Sequence, residues 1–138
     1  MTLDKDVTSL ATQANLATIV TLMSDGQPQA QLRWIDCDDE ALLVNTEPQR
    51  QAAKNVARDP RITVLIQSAT NPMEWAEVRG KVTETIGGSQ ARAHIDKLSR
   101  KYTGGDYPIA VGPQGRIILR IVPTRTVTPA TIAASHPS

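Results

Sequence analysis

The chain has 138 residues, with 15 Lys and Arg against 14 Asp and Glu, for a net charge of +1. That length suits one domain, and so even a charge balance offers no global field for nucleic acid or an anionic membrane. A single cysteine, Cys37, excludes an internal disulfide and a cysteine metal cluster, and two histidines far apart, His94 and His136, suggest no metal site.

Residues 1–5 carry no pattern and are expected to be loose. Asp6 or Thr8 opens a short helix in which Val7, Leu10, Ala11 and Ala14 recur at helical spacing. Residues 16–23 are apolar and β-branched, a strand that ends at the turn signal Asp25-Gly26. Residues 28–36 alternate, with Ala30, Leu32 and Trp34 on one face and Gln31 and Arg33 on the other. An acidic turn over 37–40 leads to a third strand at 41–45, which completes an antiparallel meander.

A helix is expected over 48–58, followed by Asp59-Pro60, which stops it. Strand 61–67 is almost continuously apolar and reads as buried on both faces. A loop at 68–72 precedes a long strand at 73–86, with Trp75, Glu77, Arg79 and Lys81 on one face. Gly80 in mid-strand marks a bulge or barrel bend. Ser89 caps a helix over 90–102 whose stripe is Ala91, Ile95, Leu98 and Tyr102. A loop at 103–114 is followed by a strand at 116–122 ending before Pro123, a strand-like piece at 126–128, and a small polar tail expected to be flexible over 130–138. The expected architecture is one domain, mainly β, with about six antiparallel strands in a small closed or split barrel and two or three helices.

No apolar run is long enough to span a bilayer, and Met1 is followed by polar and acidic residues rather than a signal peptide, so a cytoplasmic location is the default expectation. Aromatic residues are few: Trp34, Trp75, Tyr102 and Tyr107, with no Phe. The core must then be aliphatic, and a thin aliphatic core is a reason to expect dimerisation.

The chemistry-bearing stretch is NTEPQRQAAKNVARDP, residues 45–60. Thr46 and Gln49 have the spacing of a capping box, and Pro48 suits an early helical position. Arg50, Lys54 and Arg58 share one helix face opposite Ala52, Ala53 and Val56. Such a stripe is either a solvated face or, with the positive end of the helix, a phosphate or carboxylate site. Arg33 and Gln31 point from a neighbouring strand and add donors, and arginine grips such anions in bidentate fashion. Trp34 and Trp75 either pack in the core or line a pocket for a planar ligand. Tyr102 and Tyr107 either donate a proton or anchor a loop. There is no P-loop, GxSxG, HExxH or GxGxxG. Cys37 lies among acids that disfavour a thiolate, the acidic turn reads as a hairpin rather than a cation site, and His94 reads as a surface or packing residue.

The order of these elements, with LATIVTLMSDGQPQAQLRWID, ALLVNTEPQRQAAKNVARDPRITVLI and EWAEVRGKVTET, resembles the pyridoxamine-phosphate-oxidase-like split β-barrel superfamily, and within it the branch of deazaflavin proteins that use coenzyme F420. The likeness spans about residues 10–127. It rests on the Asn-Thr turn, the arginine-rich helix ending in Asn-x-x-Arg-Asp-Pro, the Val-Arg-Gly of the long strand, and the segment from Lys101-Tyr102 to Tyr107-Pro108. It implies a homodimer with cofactor sites at the subunit interface. It implies hydride transfer between reduced F420 and a small unsaturated or conjugated substrate, with FMN chemistry or a non-catalytic flavin carrier as alternatives. Asn45, Thr46, Arg50 and Lys54 would surround the phosphate, Leu32, Arg33 and Trp34 would lie along the ring or its side chain, and Trp75 would touch substrate. No catalytic residue is assigned, and no metal, nucleic acid or membrane partner is expected. Two departures stand out: many relatives carry a lysine where this chain has Ala52, and a glycine where it has Gln49. The missing cation implies weaker phosphate binding, a shift of duty to Lys54 or Arg33, or a change of cofactor.

Overall fold

A computed structural model describes residues 2–135; His136 lies outside them. The described residues form helices α1 (Lys5–Thr12), α2 (Gln51–Arg58), α3 (Gly88–Thr103) and α4 (Pro129–Ser135). They form strands β1 (Leu16–Leu22), β2 (Pro28–Trp34), β3 (Asp36–Cys37), β4 (Leu42–Thr46), β5 (Arg61–Gln67), β6 (Trp75–Ile86) and β7 (Ile117–Val127). All seven strands join one antiparallel sheet in the order β2-β1-β5-β6-β7-β4-β3. β2 and β3 occupy opposite edges of that sheet, yet a single residue, Ile35, separates them in the chain. The two steps from Trp34 to Asp36 span at most about 7 Å, so the two edges must approach each other, and the sheet curls into a split barrel.

The barrel interior is aliphatic, as the composition requires. Ile19, Ile35, Leu42, Val44, Val64, Ile66, Val78 and Ile121 are fully or almost fully buried, and Val7, Leu10 and Ala11 of α1 join them. Inward and outward residues alternate along β1, β5 and β6. β5 departs from the expectation of two buried faces. Ile62, Val64 and Ile66 are inside, but Leu65 is 42% exposed, because nothing in the single chain covers the outer face there.

Other differences have local causes. The six expected strands become seven because the stretch 28–36 breaks at Ile35, where the chain crosses between the sheet edges. Asp4, in the segment expected to be loose, caps α1: its carboxylate accepts from the N–H groups of Asp6 and Val7. Ser89 lies inside α3 rather than capping it, and Gly87 takes the cap position. β7 runs through Pro123, which stands opposite Gly80 at a register shift, where a ladder N–H is dispensable. Gly80 is required by close approach: a Cβ there would lie 2.5 Å from the Val122 carbonyl oxygen. Residues 129–135 are helical where the sequence suggests only a small, polar, flexible tail.

Candidate functional site

A cleft of about 450 Å³ opens between β2, the end of β4, α3 and the loop that follows α3. That volume is in the range of small-molecule and cofactor pockets. Leu16, Leu32, Ile95, Leu98 and Ile109 give it apolar walls, while Arg33, Asn45, Thr46, Arg50 and Arg116 gather as its polar part. The structure therefore brings together six of the residues singled out from sequence: Leu32, Arg33, Trp34, Asn45, Thr46 and Arg50. Lys54 does not line the cleft and is exposed along α2. Trp75 does not line it either; it begins β6 opposite Gln67. Arg58 donates to the Leu22 carbonyl, away from the cleft.

The local reasons follow the strand and turn geometry. Arg33 lies on the Gln31 face of β2, and its guanidinium donates to Gln31 Oε1 at 2.6 Å and to the Leu32 carbonyl at 2.9 Å. Trp34 stacks on Tyr102, with ring centroids 5.2 Å apart and planes 6° from parallel, and meets Tyr107 edge-on at 6.2 Å. Tyr102 is thereby an anchor: its hydroxyl donates to the Asn15 carbonyl and accepts from the Ile35 N–H at 3.0 Å. Burial, with the Asp36 charge nearby, pushes the Tyr102 phenol up, which makes it a poor proton donor. Tyr107 is the tyrosine that lines the cleft.

The capping box does not form. β4 continues to Thr46 because Thr46 pairs with Ile117, and the chain then needs a turn over 47–50 before the helix starts at Gln51. Gln49 bonds instead to Glu47 Oε2 at 2.8 Å, and Arg50 becomes the helix N-cap residue, its guanidinium held on Glu47 at 2.9 and 3.2 Å. Thr46 is 1% exposed, and its hydroxyl has no hydrogen-bond partner among the described residues. A buried hydroxyl without a partner is costly, about 1–3 kcal/mol, and calls for a ligand or water.

Arg116 is the cleft residue that sequence reasoning missed. It stands just before β7 and is 8% exposed. Nε donates to Asn45 Oδ1 at 2.8 Å, Nη1 reaches Glu47 Oε1 at 3.4 Å, and its guanidinium carbon lies 5.3 Å from the Tyr107 ring centre. Its only sequence signal is a charge placed between Gly115 and an apolar strand. Burial lowers the pKa of Arg33, and the Arg50 and Arg116 charges lower it further; burial likewise lowers that of Arg116, with Arg50 contributing. Three guanidinium groups thus sit close enough to repel one another, with Glu47 as the carboxylate bonded to two of them. An anion placed among them would relieve that repulsion.

Behind this polar part lies a buried chain of hydrogen bonds. The Asn45 amide nitrogen reaches the Ala91 carbonyl at 3.0 Å and His94 Nδ1 at 3.0 Å, and His94 Nε2 lies 3.0 Å from Asp36 Oδ2. Lys97 Nζ donates to that same oxygen at 3.1 Å. Burial opposes ionisation of Asp36, yet the bonds from His94, the Cys37 N–H and Lys97 outweigh it and hold its pKa at about 2. His94, read from sequence as a surface or packing residue, is buried with both ring nitrogens engaged. Among the described residues no group of three His, Cys, Asp or Glu side chains could hold a metal ion, and no helix is long and apolar enough to cross a membrane.

The fold agrees with what comparison with known proteins finds. The family profile of pyridoxamine 5'-phosphate oxidase matches residues 3–128. The chain belongs to that family. Among solved structures, one described as an F420 reductase is 27% identical, with 86% of this chain and 94% of that chain covered and a TM-score of 0.75. A conserved hypothetical protein from Mycobacterium tuberculosis is 22% identical over 99% of this chain and 90% of its own, with a TM-score of 0.67. General Stress Protein 26 from Bacillus anthracis is 18% identical over 90% and 91%, with a TM-score of 0.68. The latter two share the fold. A comparison with curated proteins found no match.

Proposed function

We propose that this member of the family is a cytoplasmic oxidoreductase that binds the deazaflavin coenzyme F420 and transfers a hydride between it and a small unsaturated or conjugated substrate. The observation that carries this reading is the polar end of the cleft: three convergent guanidinium groups and the unpartnered Thr46 hydroxyl, beside walls that are otherwise apolar. That pattern suits a flat apolar ring bearing an anionic tail. The likeness to a solved F420 reductase supports the deazaflavin form of such a ligand. When bound, the deazaflavin supplies the hydride chemistry.

The chain supplies position and field. Arg33, Arg50, Arg116 and Thr46 hold the phosphate, and Leu32 and Trp34 flank the ring. Lys54 lies outside the cleft, so the duty of the cation missing at Ala52 falls to Arg33 and Arg116. Tyr107, whose ring lies 5.3 Å from the Arg116 guanidinium carbon, belongs to the phosphate end of the cleft. FMN, which also joins a phosphate to a flat ring system, fits the same clamp and is the second reading, favoured by the match to the pyridoxamine 5'-phosphate oxidase profile.

The active form in this reading is a homodimer. Leu16, Leu32 and Leu65 are 49%, 62% and 42% exposed on the outer face of β2, β1 and β5, with Thr18 in register between Leu32 and Leu65. An apolar patch of that kind fits the same patch of a second copy, and Leu16 and Leu32 also border the cleft, so the second copy would complete its open wall.

Fluorescence titration of the purified protein with F420, beside its absorption spectrum as isolated, decides between the readings. Saturable F420 binding that Arg50→Ala weakens supports the first. A flavin spectrum with no F420 binding supports the second. Binding of neither sinks both. Sedimentation equilibrium giving a monomer at micromolar concentration would remove the dimer from the proposal.

A further inference from the structure

The polar atoms behind the arginine clamp leave little freedom in how their hydrogens are arranged. Asn45 is 5% exposed and His94 8%, so neither has water to fall back on. The Arg116 Nε–H only donates, and the Ala91 carbonyl only accepts. The Asn45 side chain must therefore turn its oxygen to Arg116 and its NH₂ to Ala91, and the reverse orientation would set donor against donor and acceptor against acceptor. The second hydrogen of that NH₂ points at His94 Nδ1, which must then be the bare, accepting nitrogen of the ring. The ring proton is left on Nε2, where it donates to the Asp36 carboxylate. Four residues from three strands' ends and one helix thus fix one another's orientation, from β3 to the start of β7.

We propose that His94 is a positioning residue for the anion clamp: held by Asp36 as the Nε2–H tautomer, it locks the Asn45 amide so that its carbonyl aims the Arg116 guanidinium into the cleft. His94 itself does not line the cleft. Its effect passes through Asn45 Oδ1. Without an acceptor at the Nδ1 position, one Asn45 N–H is stranded in a buried site; the bonds to Ala91 and Arg116 still set which way the amide faces, but the amide tilts to relieve the stranded N–H and its bond to Arg116 loosens. Arg116 then relies on the longer 3.4 Å contact to Glu47 and on Tyr107, which hold its guanidinium less closely than the 2.8 Å bond to Asn45. The clamp function of Arg116 rests on the reading given under Proposed function; the locking of Asn45 does not.

The test compares His94→Asn, whose shorter amide can place an acceptor where Nδ1 stood, with His94→Phe, which cannot. Both lose the donor to Asp36, so that loss cancels. Nitrogen-15 NMR of the full-length wild type, free of ligand, should show a bare Nδ1 and a protonated Nε2 on His94 near neutral pH; a protonated Nδ1 would overturn the proposal. The Arg116 Nε–H signal should be slow to exchange in wild type and His94→Asn and fast in His94→Phe. In titrations, His94→Phe should lose about tenfold in affinity for F420, the worth of one charge-assisted hydrogen bond. It should bind the phosphate-free deazaflavin ring fragment as wild type does, and His94→Asn should recover most of the loss. Equal losses for both ligands, or no rescue, would show a merely structural role. If wild type binds no F420, FMN against riboflavin serves as the pair; if it binds none of these, the proposed function falls while the Arg116 Nε–H signal still decides the locking. Should His94→Phe fail to fold, His94→Leu takes its place.

Discussion

Two sets of cations lie on or near α2, one along the helix and one about its start, and they differ in exposure and in convergence. Lys54 and Arg58 recur at helical spacing along one exposed face and share no cleft. Arg33, Arg50 and Arg116 come from β2, the turn after β4 and the entry to β7, and they converge. The helical stripe is screened by water and salt, so its charges do little for one another or for a ligand. In the converging set Arg33 and Arg116 are partly desolvated, and each feels the charge of the others. Periodicity along one element places charges side by side; only the fold can point charges from three elements at one spot.

The largest expected effect separates the two sets directly. Arg116→Met keeps the bulk of the side chain but removes its charge and its fork of donors. It should weaken binding of F420, or of FMN, by about a hundredfold, roughly 2.7 kcal/mol, the range for a charge-assisted pair in a desolvated site. Lys54→Ala, measured in the same titration, should change affinity by less than about twofold. Equal effects would erase the distinction between the sets.

The second expected effect concerns the position that departs from many relatives. Ala52 is 1% exposed and packs in the barrel core with Val56 and Val44. Restoring a cation there by Ala52→Lys would thrust a four-carbon stem and an ammonium group into a filled interior. Even if the stem snorkels toward the cleft, overpacking should lower unfolding stability by about 2 kcal/mol in urea titration. A stable Ala52→Lys variant with tighter F420 binding would mean instead that the helix can still lend a cation to the clamp.

The barrel was legible in the sequence to the extent that it is local. Alternation, the Asp25-Gly26 turn and the Gly80 bulge locate most strands, and the run of recognisable segments supplies their arrangement. Arg33, Thr46 and Arg50, which line one cleft, were singled out from the turn between β4 and α2 and from the alternation of β2. Arg116 was not, since 66 residues separate it from Arg50 and no spacing rule connects a strand entry to a distant turn. His94, read as a surface or packing residue, is buried as the second of these has it, but its partners were not legible for the same reason: Asp36 and Asn45 are 58 and 49 residues away. The stripe on α2 misled in the opposite direction, since helical periodicity promised Lys54 a place beside Arg50 that the early turn at 47–50 removes.

A third effect, smaller than these, concerns the hydroxyl at the clamp's floor. Thr46→Val replaces the unpartnered Oγ1 by a methyl group of nearly the same size. The free protein should gain up to about 1 kcal/mol in unfolding stability, because a buried polar atom without a partner is gone. Affinity for the phosphate-bearing ligand should fall about fivefold, because the bound anion loses that donor. Stability and binding would then move in opposite directions, as expected of a group kept for a ligand. A loss of stability in the free protein would show that the hydroxyl already has a partner, such as an ordered water.

A last contrast sets a buried carboxylate against a surface one at very low pH. Asp36 and Asp59 both have their pKa held near 2, against an ordinary aspartate value of 3.8. Asp36 is 6% exposed and anchors the chain that leads to the clamp, whereas Asp59 lies at the surface, where its bonds to Arg61 depress it. Each carboxylate has a lower pKa in the folded than in the unfolded state. Its contribution to stability is therefore complete above about pH 4 and is lost as pH falls through 2. Salt distinguishes them, since it screens an exposed pair much more than a buried one. Urea midpoints followed from pH 5 to pH 2 should fall in both low and high salt. Asp36→Asn should flatten that fall at either ionic strength, and Asp59→Asn should matter only in low salt. If high salt abolished the Asp36 effect as well, the buried chain would be no better shielded than the stripe on α2, and the contrast between the two sets of charges would lose its physical basis.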